Sequence, residues 1–457
     1  MRIFKKLIAF VLALILVNSV ATFVMEPVMF EHFLNKDIQT MKKNKQSVDL
    51  AFFGDSRAIR TFEPEVFEEE LEGSIDGALN MGINQQHFSD TYYYMNDFLD
   101  KYPVKYAVVA INYDYFLTLN EESVVAKGLT LDRMSDLGNK RNYIKERYTA
   151  RELPEIIKSF RYRYETASLW DNLMQKLKPA YWQYVDDRED IHYVSKGFAT
   201  WDLAYKQGNT GMPVGCYQWF DDFIDDETFT YMKQIADLCK EKGVKLYFVS
   251  PPVTIGRIYS IANYEQFHQC IVKQCQELNV PFYNMNLLRN SEITTDDTNF
   301  ADTEHVNNRG AQKASETLAQ IIGVDIEGNS TDSFFYAGYN EMNDDKAQIG
   351  ACDISIVDPA SGDYVAENYA GKNIEKSQYV LQAMGSYYEE IVPEYQFRVS
   401  YDGGVTWELL QKYSTNNVIT IEKSKCTQTT LFRVDARPQG IADLHHCYIE
   451  RTLDDCT

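Results

Sequence analysis

The segment Val48-Asp49-Leu50-Ala51-Phe52-Phe53-Gly54-Asp55-Ser56-Arg57 decides the fold of this 457-residue chain. Its apolar run predicts a buried strand that passes directly into Gly-Asp-Ser. In an α/β fold the chemistry lies at the carboxyl edge of a parallel sheet, so this strand would present the Ser56 hydroxyl there. Because a neutral serine is a poor nucleophile, Ser56 needs a base, and that base needs an orienting carboxylate.

A second segment, Asp302-Thr303-Glu304-His305, supplies both groups. His305 would be the general base that takes the proton of Ser56, and Asp302 would hold the imidazole in the correct tautomer. The alternative is ordinary: Ser56 or Asp302 could simply cap a helix. Catalysis requires the Ser56 Oγ to lie within about 2.6–3.2 Å of a ring nitrogen of His305.

Between residues 48 and 325 the sequence alternates apolar strands with helices, which predicts a three-layer α/β/α sandwich with a parallel sheet. The predicted strands are 48–53, 76–81, 106–111, 244–249 and 279–283, and the predicted helices are 63–72, 89–101, 225–242, 264–278 and 308–322.

Residues 114–225 form a large insertion with four of the five tryptophans: Trp170, Trp182, Trp201 and Trp219. Aromatic faces beside arginines suit a groove for a sugar polymer. The alternative is that these aromatics pack a helical cap over the sheet.

Residues 326–457 have strand-length alternation with turn residues, which predicts an accessory β-sandwich of immunoglobulin-like type. The runs 396–401 and 405–410 flank Asp402-Gly403-Gly404, a strong hairpin signal. Further strands are predicted at 352–357, 378–384, 418–421 and 431–435. The pattern of residues 395–407 is similar to β-sandwich modules appended to bacterial surface proteins.

Residues 7–25 carry no charge and follow Arg2, Lys5 and Lys6. Residues 1–26 are therefore predicted as a signal anchor, or as a signal peptide cleaved after Ser19-Val20-Ala21. Residues 27–47 would form a helical connector. We favour a retained, single-pass anchor with the body on the extracytoplasmic side; secretion after cleavage is the alternative.

Composition narrows the possible partners. Acidic residues outnumber basic ones 67 to 45, and a net charge of −22 argues against nucleic-acid binding. The eight cysteines form no zinc-ligand spacing, and we find neither a phosphate loop nor a dinucleotide fingerprint. We therefore expect no metal and no cofactor.

Joined in this order, Gly54-Asp55-Ser56 and Asp302-x-x-His305 resemble the SGNH or GDSL hydrolase family. The likeness is greatest to membrane-anchored members that edit cell-envelope polymers, such as D-alanyl transfer proteins and polysaccharide O-acetyl esterases or transferases. The resemblance implies an oxyanion hole built from the N–H of Ser56, from Gly82 and from Asn112. The family's Gly-x-Asn-Asp block is replaced by Ala110-Ile111-Asn112-Tyr113, which leaves Asn84 as a local competitor of Asn112. Arg57 could bind an anionic group of the substrate or serve as a surface ion-pair partner.

The resulting hypothesis is an extracytoplasmic serine esterase or O-acyltransferase acting on acyl esters of a cell-surface polysaccharide. A membrane acyltransferase is a conceivable partner. Two alternatives stay open: a non-catalytic scaffold that binds envelope polymer during assembly, and a general esterase for small esters. A scaffold has no need to keep all three of Ser56, Asp302 and His305.

Overall fold

The computed structural model describes residues 2–116, 123–164, 166–189, 191–203, 226–261, 263–289, 293–294, 296–346, 349–358, 375–387, 391–441 and 447–453. Its helices are α1 (Arg2–Met25), α2 (Phe30–Asn44), α3 (Ser56–Thr61), α4 (Pro64–Glu70), α5 (Phe88–Leu99), α6 (Val124–Arg133), α7 (Leu137–Arg147), α8 (Lys158–Arg161), α9 (Leu169–Leu177), α10 (Pro179–Gln183), α11 (Asp226–Lys242), α12 (Ile255–Tyr259), α13 (Tyr264–Leu278), α14 (Asn308–Ile326) and α15 (Tyr339–Lys346). Its strands are β1 (Leu50–Phe53), β2 (Ala78–Asn80), β3 (Tyr106–Ala110), β4 (His192–Ser195), β5 (Phe198–Thr200), β6 (Lys245–Ser250), β7 (Phe282–Asn284), β8 (Ile349–Val357), β9 (Gln378–Tyr387), β10 (Pro393–Ser400), β11 (Glu408–Ser414), β12 (Val418–Glu422), β13 (Leu431–Pro438) and β14 (Cys447–Thr452).

A five-stranded parallel sheet of order β2-β1-β3-β6-β7 lies at the centre of the α/β unit. Alternate strand residues face opposite sides, so Ala51 and Phe53 join a core with α2, α5, α11 and α13. Leu50 and Phe52 join a second core with α3, α4 and α14. The predicted three-layer sandwich with a parallel sheet is confirmed.

The last strand of this sheet begins later than the sequence indicates. The prediction began at residue 279, but Asn279 has a φ of 53° and ends α13 in the left-handed conformation. The chain needs two more residues to leave the helix, so β7 begins at Phe282.

The α/β unit extends beyond the predicted boundaries at both ends. Phe33, Leu34 and Met41 of α2 are buried, so the connector helix is packed on the body. At the other end, Tyr339 lies against Tyr264 with ring centroids 5.2 Å apart, and Met342 is also buried in the same core. The polar stretch after residue 325 is therefore an excursion within the α/β unit.

The C-terminal strands form two antiparallel sheets, of order β12-β9-β8 and β11-β10-β13-β14. Counted within the sandwich, the first, second and fifth strands (β8, β9 and β12) share one sheet. The other four (β10, β11, β13 and β14) share the second, as in an immunoglobulin-like sandwich. Phe397, Phe432 and Ile449 are fully buried between the sheets. The predicted β-sandwich is confirmed.

The α/β unit carries an N-terminal apolar helix and a long insertion after its third strand. Helix α1 contains a 22-residue apolar segment, Phe4–Met25, long enough to be a signal anchor or a signal peptide. The described part of the insertion 114–225 consists of a 3₁₀ turn after β3, helices α6 to α10, two further 3₁₀ turns and the β4–β5 hairpin. Trp219 lies outside the described residues.

Candidate functional site

The turn after β1 places Ser56 at the carboxyl edge of the sheet. Gly54 has a φ of +134°, and a Cβ there would lie 2.8 Å from the Ala110 Cβ of the neighbouring strand. Asp55 then caps α3 by accepting the N–H of Arg57 at 3.0 Å. The cap is therefore Asp55, which leaves the Ser56 side chain available for other contacts.

Ser56, His305 and Asp302 form one continuous chain of hydrogen-bonding groups. The Ser56 Oγ lies 2.8 Å from His305 Nε2, within the distance that the sequence analysis required. His305 Nδ1 lies 2.9 Å from Asp302 Oδ2. With a proton on Nδ1, His305 donates to Asp302 and leaves Nε2 to accept from the serine hydroxyl.

The Asp302 carboxylate also folds its own loop. Its Oδ1 accepts the backbone N–H groups of Glu304 and His305, each at 2.8 Å. Burial raises the pKa of Asp302, but the hydrogen bonds and charge of His305, together with these N–H groups, outweigh it and hold the pKa below its usual range. The N-cap of α14 is Asn307, so Asp302 does not have the helix-capping role that was its alternative.

The groups predicted for an oxyanion hole differ in their surroundings. Within the described chain the Ser56 N–H donates to no other group. Asn112 lies in the same cavity as Ser56, and its Nδ2 donates to Asp55 Oδ2 at 2.7 Å. An amide Nδ2 carries two protons, and the bond to Asp55 uses one of them.

Gly82 is arranged differently from its predicted role. Its N–H donates to Asn80 Oδ1 at 3.1 Å, and Gly82 does not line the cavity that contains Ser56. Asn80 is fixed because its Nδ2 donates to the carbonyls of Ala58 and Phe62 at the end of α3. A Cβ on Gly82 would lie 2.8 Å from Ile59 Cγ1, so packing alone explains the glycine. Asn84, the competitor of Asn112, is exposed.

An open cavity of about 350 Å³ holds the serine and the histidine. Every side chain that lines it carries a polar group, and Gln85 adopts the left-handed conformation with a φ of 58°. The lining residues are Asp55, Ser56, Arg57, Gln85, His87, Asn112, Asp114, Tyr115, Glu304 and His305.

Two arginines and two carboxylates form a ring of ion pairs beside the cavity. Arg57 Nη2 lies 2.9 Å from Asp114 Oδ2 and 2.8 Å from Glu304 Oε2. Arg257 contacts the same two carboxylates, each at 2.9 Å. We call these four residues the ion-pair tetrad.

The tetrad changes the interpretation of Arg57. The arginine is buried, and three carboxylates, those of Asp55, Asp114 and Glu304, surround its guanidinium. Burial disfavours the charged Arg57, but these neighbours outweigh it and raise its pKa. For Asp114 burial raises the pKa, but Arg57 and Arg257 outweigh burial and hold the pKa below its usual range. Arg57 is thus an ion-pair partner, as in the second alternative, but inside the protein.

Of the predicted tryptophans, Trp201 lies near His305. The centroids of the two rings are 5.7 Å apart. The Arg60 guanidinium lies 4.3 Å from the centroid of Trp201. Burial lowers the pKa of Arg60 to about 10, because Asp302 and Asp55 offset the desolvation only in part. Arg60 lies four residues after Ser56 on α3, a spacing that puts both on one helical face.

The other two described tryptophans of the insertion are far more exposed than Trp201. Trp170 on α9 is 69% exposed and Trp182 on α10 is 61% exposed, and neither lines the cavity.

Sequence reasoning missed Arg60, Asp114, Arg257 and Glu304 as parts of the site. Two of them had a signal: Asp114 follows the end of a central strand, and Glu304 lies within the segment that holds Asp302 and His305. Among the described residues no group of three or more His, Cys, Asp and Glu side chains is placed to hold a metal ion.

Comparisons with known proteins give little similarity. No protein-family model matches this sequence, and no curated protein matches it. A GDSL-like lipase from Bacteroides thetaiotaomicron has 10% identity and a TM-score of 0.28, over 64% of this chain and 99% of the lipase. A tail fiber protein from an E. coli phage has 9% identity and a TM-score of 0.26, over 88% of this chain and 48% of that chain. At such values neither likeness carries an argument, so the interpretation of the site rests on its geometry.

Proposed function

We propose that this protein is an extracytoplasmic serine esterase or O-acyltransferase that acts on acyl esters of a cell-surface polysaccharide. The observation that carries the proposal is the Ser56 Oγ at 2.8 Å from His305 Nε2, with Asp302 2.9 Å behind the imidazole. Each neighbouring pair is within hydrogen-bond distance, as nucleophile, base and orienting carboxylate must be.

The proposed reaction has two steps. The Ser56 Oγ forms a bond to the ester carbonyl carbon while its proton passes to His305 Nε2. The carbon–oxygen bond to the alcohol then breaks, and the alcohol leaves with that proton, so that the acyl group remains on Ser56. In the second step water or a sugar hydroxyl forms a bond to the acyl carbon while its proton passes to His305 Nε2. The bond from that carbon to Ser56 Oγ then breaks and Ser56 takes the proton back, which releases the free acid or the new ester. Asp302 keeps its negative charge throughout and stabilises the imidazolium.

The tetrahedral intermediates need donors for their oxyanion. We assign this role to the N–H of Ser56 and to the second proton of the Asn112 Nδ2, which line the same cavity. Gly82 is left out because its N–H donates to Asn80. We therefore propose two oxyanion donors in place of the three that the family resemblance implies.

The cavity favours a small acyl group on a polar carrier. At about 350 Å³ it is near the lower end of ligand pockets, and its lining includes Tyr115 but no aliphatic side chain. A long fatty acyl chain would find no aliphatic side chain there to pack against. The polar lining, the likeness of the two motifs to envelope-editing hydrolases and the apolar helix α1 together support an acylated surface glycan as the substrate class.

The test uses the purified full-length protein with an aryl acetate. We expect acid release from the native protein, and a loss of about 10³-fold or more in kcat/KM for Ser56→Ala. The matched control is Ser74→Ala, which changes an exposed serine in the turn before β2 and should keep the native rate. An unchanged rate in Ser56→Ala would overturn the proposal.

A second experiment separates hydrolysis from transfer. Acyl-enzyme formed on Ser56 is offered water alone or water with an acceptor oligosaccharide, and the products are identified by mass spectrometry. Acylated oligosaccharide indicates a transferase, whereas free acid in both cases indicates an esterase.

A further inference from the structure

Helix α9 has its polar side inward and its apolar side outward. Trp170, Met174 and Leu177 follow the spacing of one helical face, and they are 69%, 43% and 60% exposed. On the opposite face Asn172 and Lys176 are buried. A helix on a soluble domain shows the reverse pattern, because burial of apolar side chains is favourable. The outward side of α9 therefore calls for an apolar environment.

The helices on either side of α9 continue this exposure. Ile157 and Phe160, just before and within α8, are 52% and 44% exposed, and Trp182 of α10 is 61% exposed. Large exposed apolar surfaces on soluble proteins mark sites of interaction with proteins or membranes. We call this surface of α8, α9 and α10 the apolar face; its members are Ile157, Phe160, Trp170, Met174, Leu177 and Trp182.

The apolar face adjoins the end of α1. Ser159 donates to Asn18 Oδ1 at 2.5 Å, and Lys176 Nζ donates to the Phe23 carbonyl at 2.6 Å. Lys158 forms an ion pair with Glu26 at 2.8 Å. Helices α8 and α9 thus lie alongside about the last two turns of α1.

The length of α1 sets the depth of these contacts. The uncharged run from residue 7 to residue 25 spans about 28 Å at about 1.5 Å per residue, close to the roughly 30 Å of a hydrocarbon core. A membrane-spanning α1 therefore needs its whole apolar run. Asn18 lies about 10 Å inside the end of that run. Elements packed against α1 from this residue onward are at the level of the bilayer, whichever way the span is oriented.

We propose that the apolar face is seated in the interfacial layer of the same bilayer that α1 spans. Tryptophans are enriched at this depth, where an apolar ring can lie among acyl chains with its N–H near the headgroups. Amphipathic helices in such layers bury their apolar side by about 5–10 Å, which matches the depth inferred from Asn18. Trp170 and Trp182 are then lipid contacts, which replaces the sugar groove predicted for them.

The test is quenching of tryptophan fluorescence by brominated lipid. The full-length protein is placed in phosphatidylcholine nanodiscs whose acyl chains are either plain or brominated near the headgroup. We expect quenching of the native protein, and a quenched fraction about twofold or more lower in the variant Trp170→Phe/Trp182→Phe. The matched control, Trp407→Phe, removes a tryptophan of the β-sandwich and should not lower the quenched fraction, since loss of an unquenched fluorophore can only raise it.

Two outcomes would overturn the inference. One is equal emission of the native protein in both kinds of nanodisc, which would mean that water or a partner protein covers the apolar face. The other is equal quenching of the native protein and the double variant. Quenching is independent of hydrolysis, so neither outcome bears on the proposed esterase activity.

Discussion

Asp302 serves two sets of donors with one carboxylate. Its Oδ1 accepts two backbone N–H groups of its own loop, and its Oδ2 faces the His305 ring at 2.9 Å. The same side chain thus shapes the loop and orients the proposed base. An amide at this position would keep an oxygen for the backbone but would present a donor or an uncharged oxygen to the imidazole.

Asp302→Asn should therefore separate folding from activity. We expect kcat for aryl acetate hydrolysis to fall by about 10³–10⁴-fold, because the imidazole loses the charge that fixes its tautomer. The circular dichroism spectrum should stay native. Asp296→Asn is the matched control, since Asp296 also accepts from its own loop, at Thr298, but lies outside the triad. Native activity in Asp302→Asn would contradict the assigned role.

Trp201 lies close to both Arg60 and His305. The Arg60 guanidinium lies 4.3 Å from the centroid of the Trp201 ring, and the centroids of the Trp201 and His305 rings are 5.7 Å apart. Two roles fit this position: the indole fixes the His305 ring, or it contacts the substrate as the sequence analysis predicted. The two roles affect different kinetic constants.

We expect Trp201→Ala to lower kcat by about tenfold with little change in KM, because a displaced base impairs proton transfer and not binding. Trp201→Phe keeps an aromatic ring and should retain most of the activity. Steady-state kinetics with an aryl acetate and with an acylated oligosaccharide make the comparison. A raised KM for the oligosaccharide with an unchanged kcat would instead assign Trp201 to substrate binding.

At the scale of elements, the ion-pair tetrad joins four separate pieces of chain. Arg57 comes from α3, Arg257 from α12, Glu304 from the loop of the triad, and Asp114 from the turn after β3. Both arginines are buried and both carboxylates are less than one-third exposed. Removal of one member leaves buried charge without its partner, which costs more than loss of a surface pair.

Asp114→Asn should lower stability in a pH-dependent way. The folded protein depresses the pKa of Asp114 below its ordinary value of about 3.9, so its contribution is full above that pH and is lost as the pH falls through the folded value. We expect a loss of about 2–3 kcal/mol at pH 7 in urea unfolding, and convergence with the native protein as the pH falls through the folded pKa of Asp114. Asp237→Asn, in an exposed pair with Lys233, should change stability by less than about 0.5 kcal/mol at either pH. A pH-independent loss in Asp114→Asn would contradict the electrostatic explanation.

The order of strands and helices in the α/β unit could be predicted from sequence because each element has a pattern within its own residues. Parallel strands buried on both faces are continuous apolar runs, and Gly54 marks the end of the first of them. Packing between distant elements leaves no comparable pattern. The amphipathic α2 was recognisable as a helix, but no pattern within its residues indicated that its apolar side would pack on the body. Strand β14 was missed because Cys447–Thr452 alternates too weakly to stand out.

The candidate site shows the same contrast between local motifs and contacts of distant residues. Ser56, Asp302 and His305 could be located because their chemistry demands a short motif at each end of the domain. The paired members of the tetrad lie between 47 and 247 residues apart in the sequence, and an ion pair imposes no sequence spacing across a fold. The tryptophans were ambiguous for a different reason, since a residue such as Trp170 has the same sequence signal in a sugar groove as on a membrane surface.

At the scale of the whole molecule, α12 connects the two structural units. Thr254, its N-cap, donates to the Thr303 carbonyl at 3.1 Å, and Arg257 contacts Glu304 at 2.9 Å, so α12 holds the loop of the triad. The same helix contacts strands β8 and β9 of the sandwich. The sandwich has its own core, separate from the two cores of the α/β unit. We therefore propose that the sandwich folds as an independent unit that braces α12.

Phe432→Ala tests both parts of this proposal. Phe432 is fully buried in the sandwich core, and its truncation should cost about 3–5 kcal/mol there. We expect calorimetry to show two unfolding transitions, of which only one moves to lower temperature in the variant. Once that transition is passed, α12 loses its support, and the rate of ester hydrolysis should fall several-fold while the α/β unit is still folded. Leu318→Ala, in the α14 core, should instead move the other transition. A single transition that moves as a whole would contradict independent folding, and a hydrolysis rate that persists after the sandwich has unfolded would mean that α12 holds the loop of the triad without it.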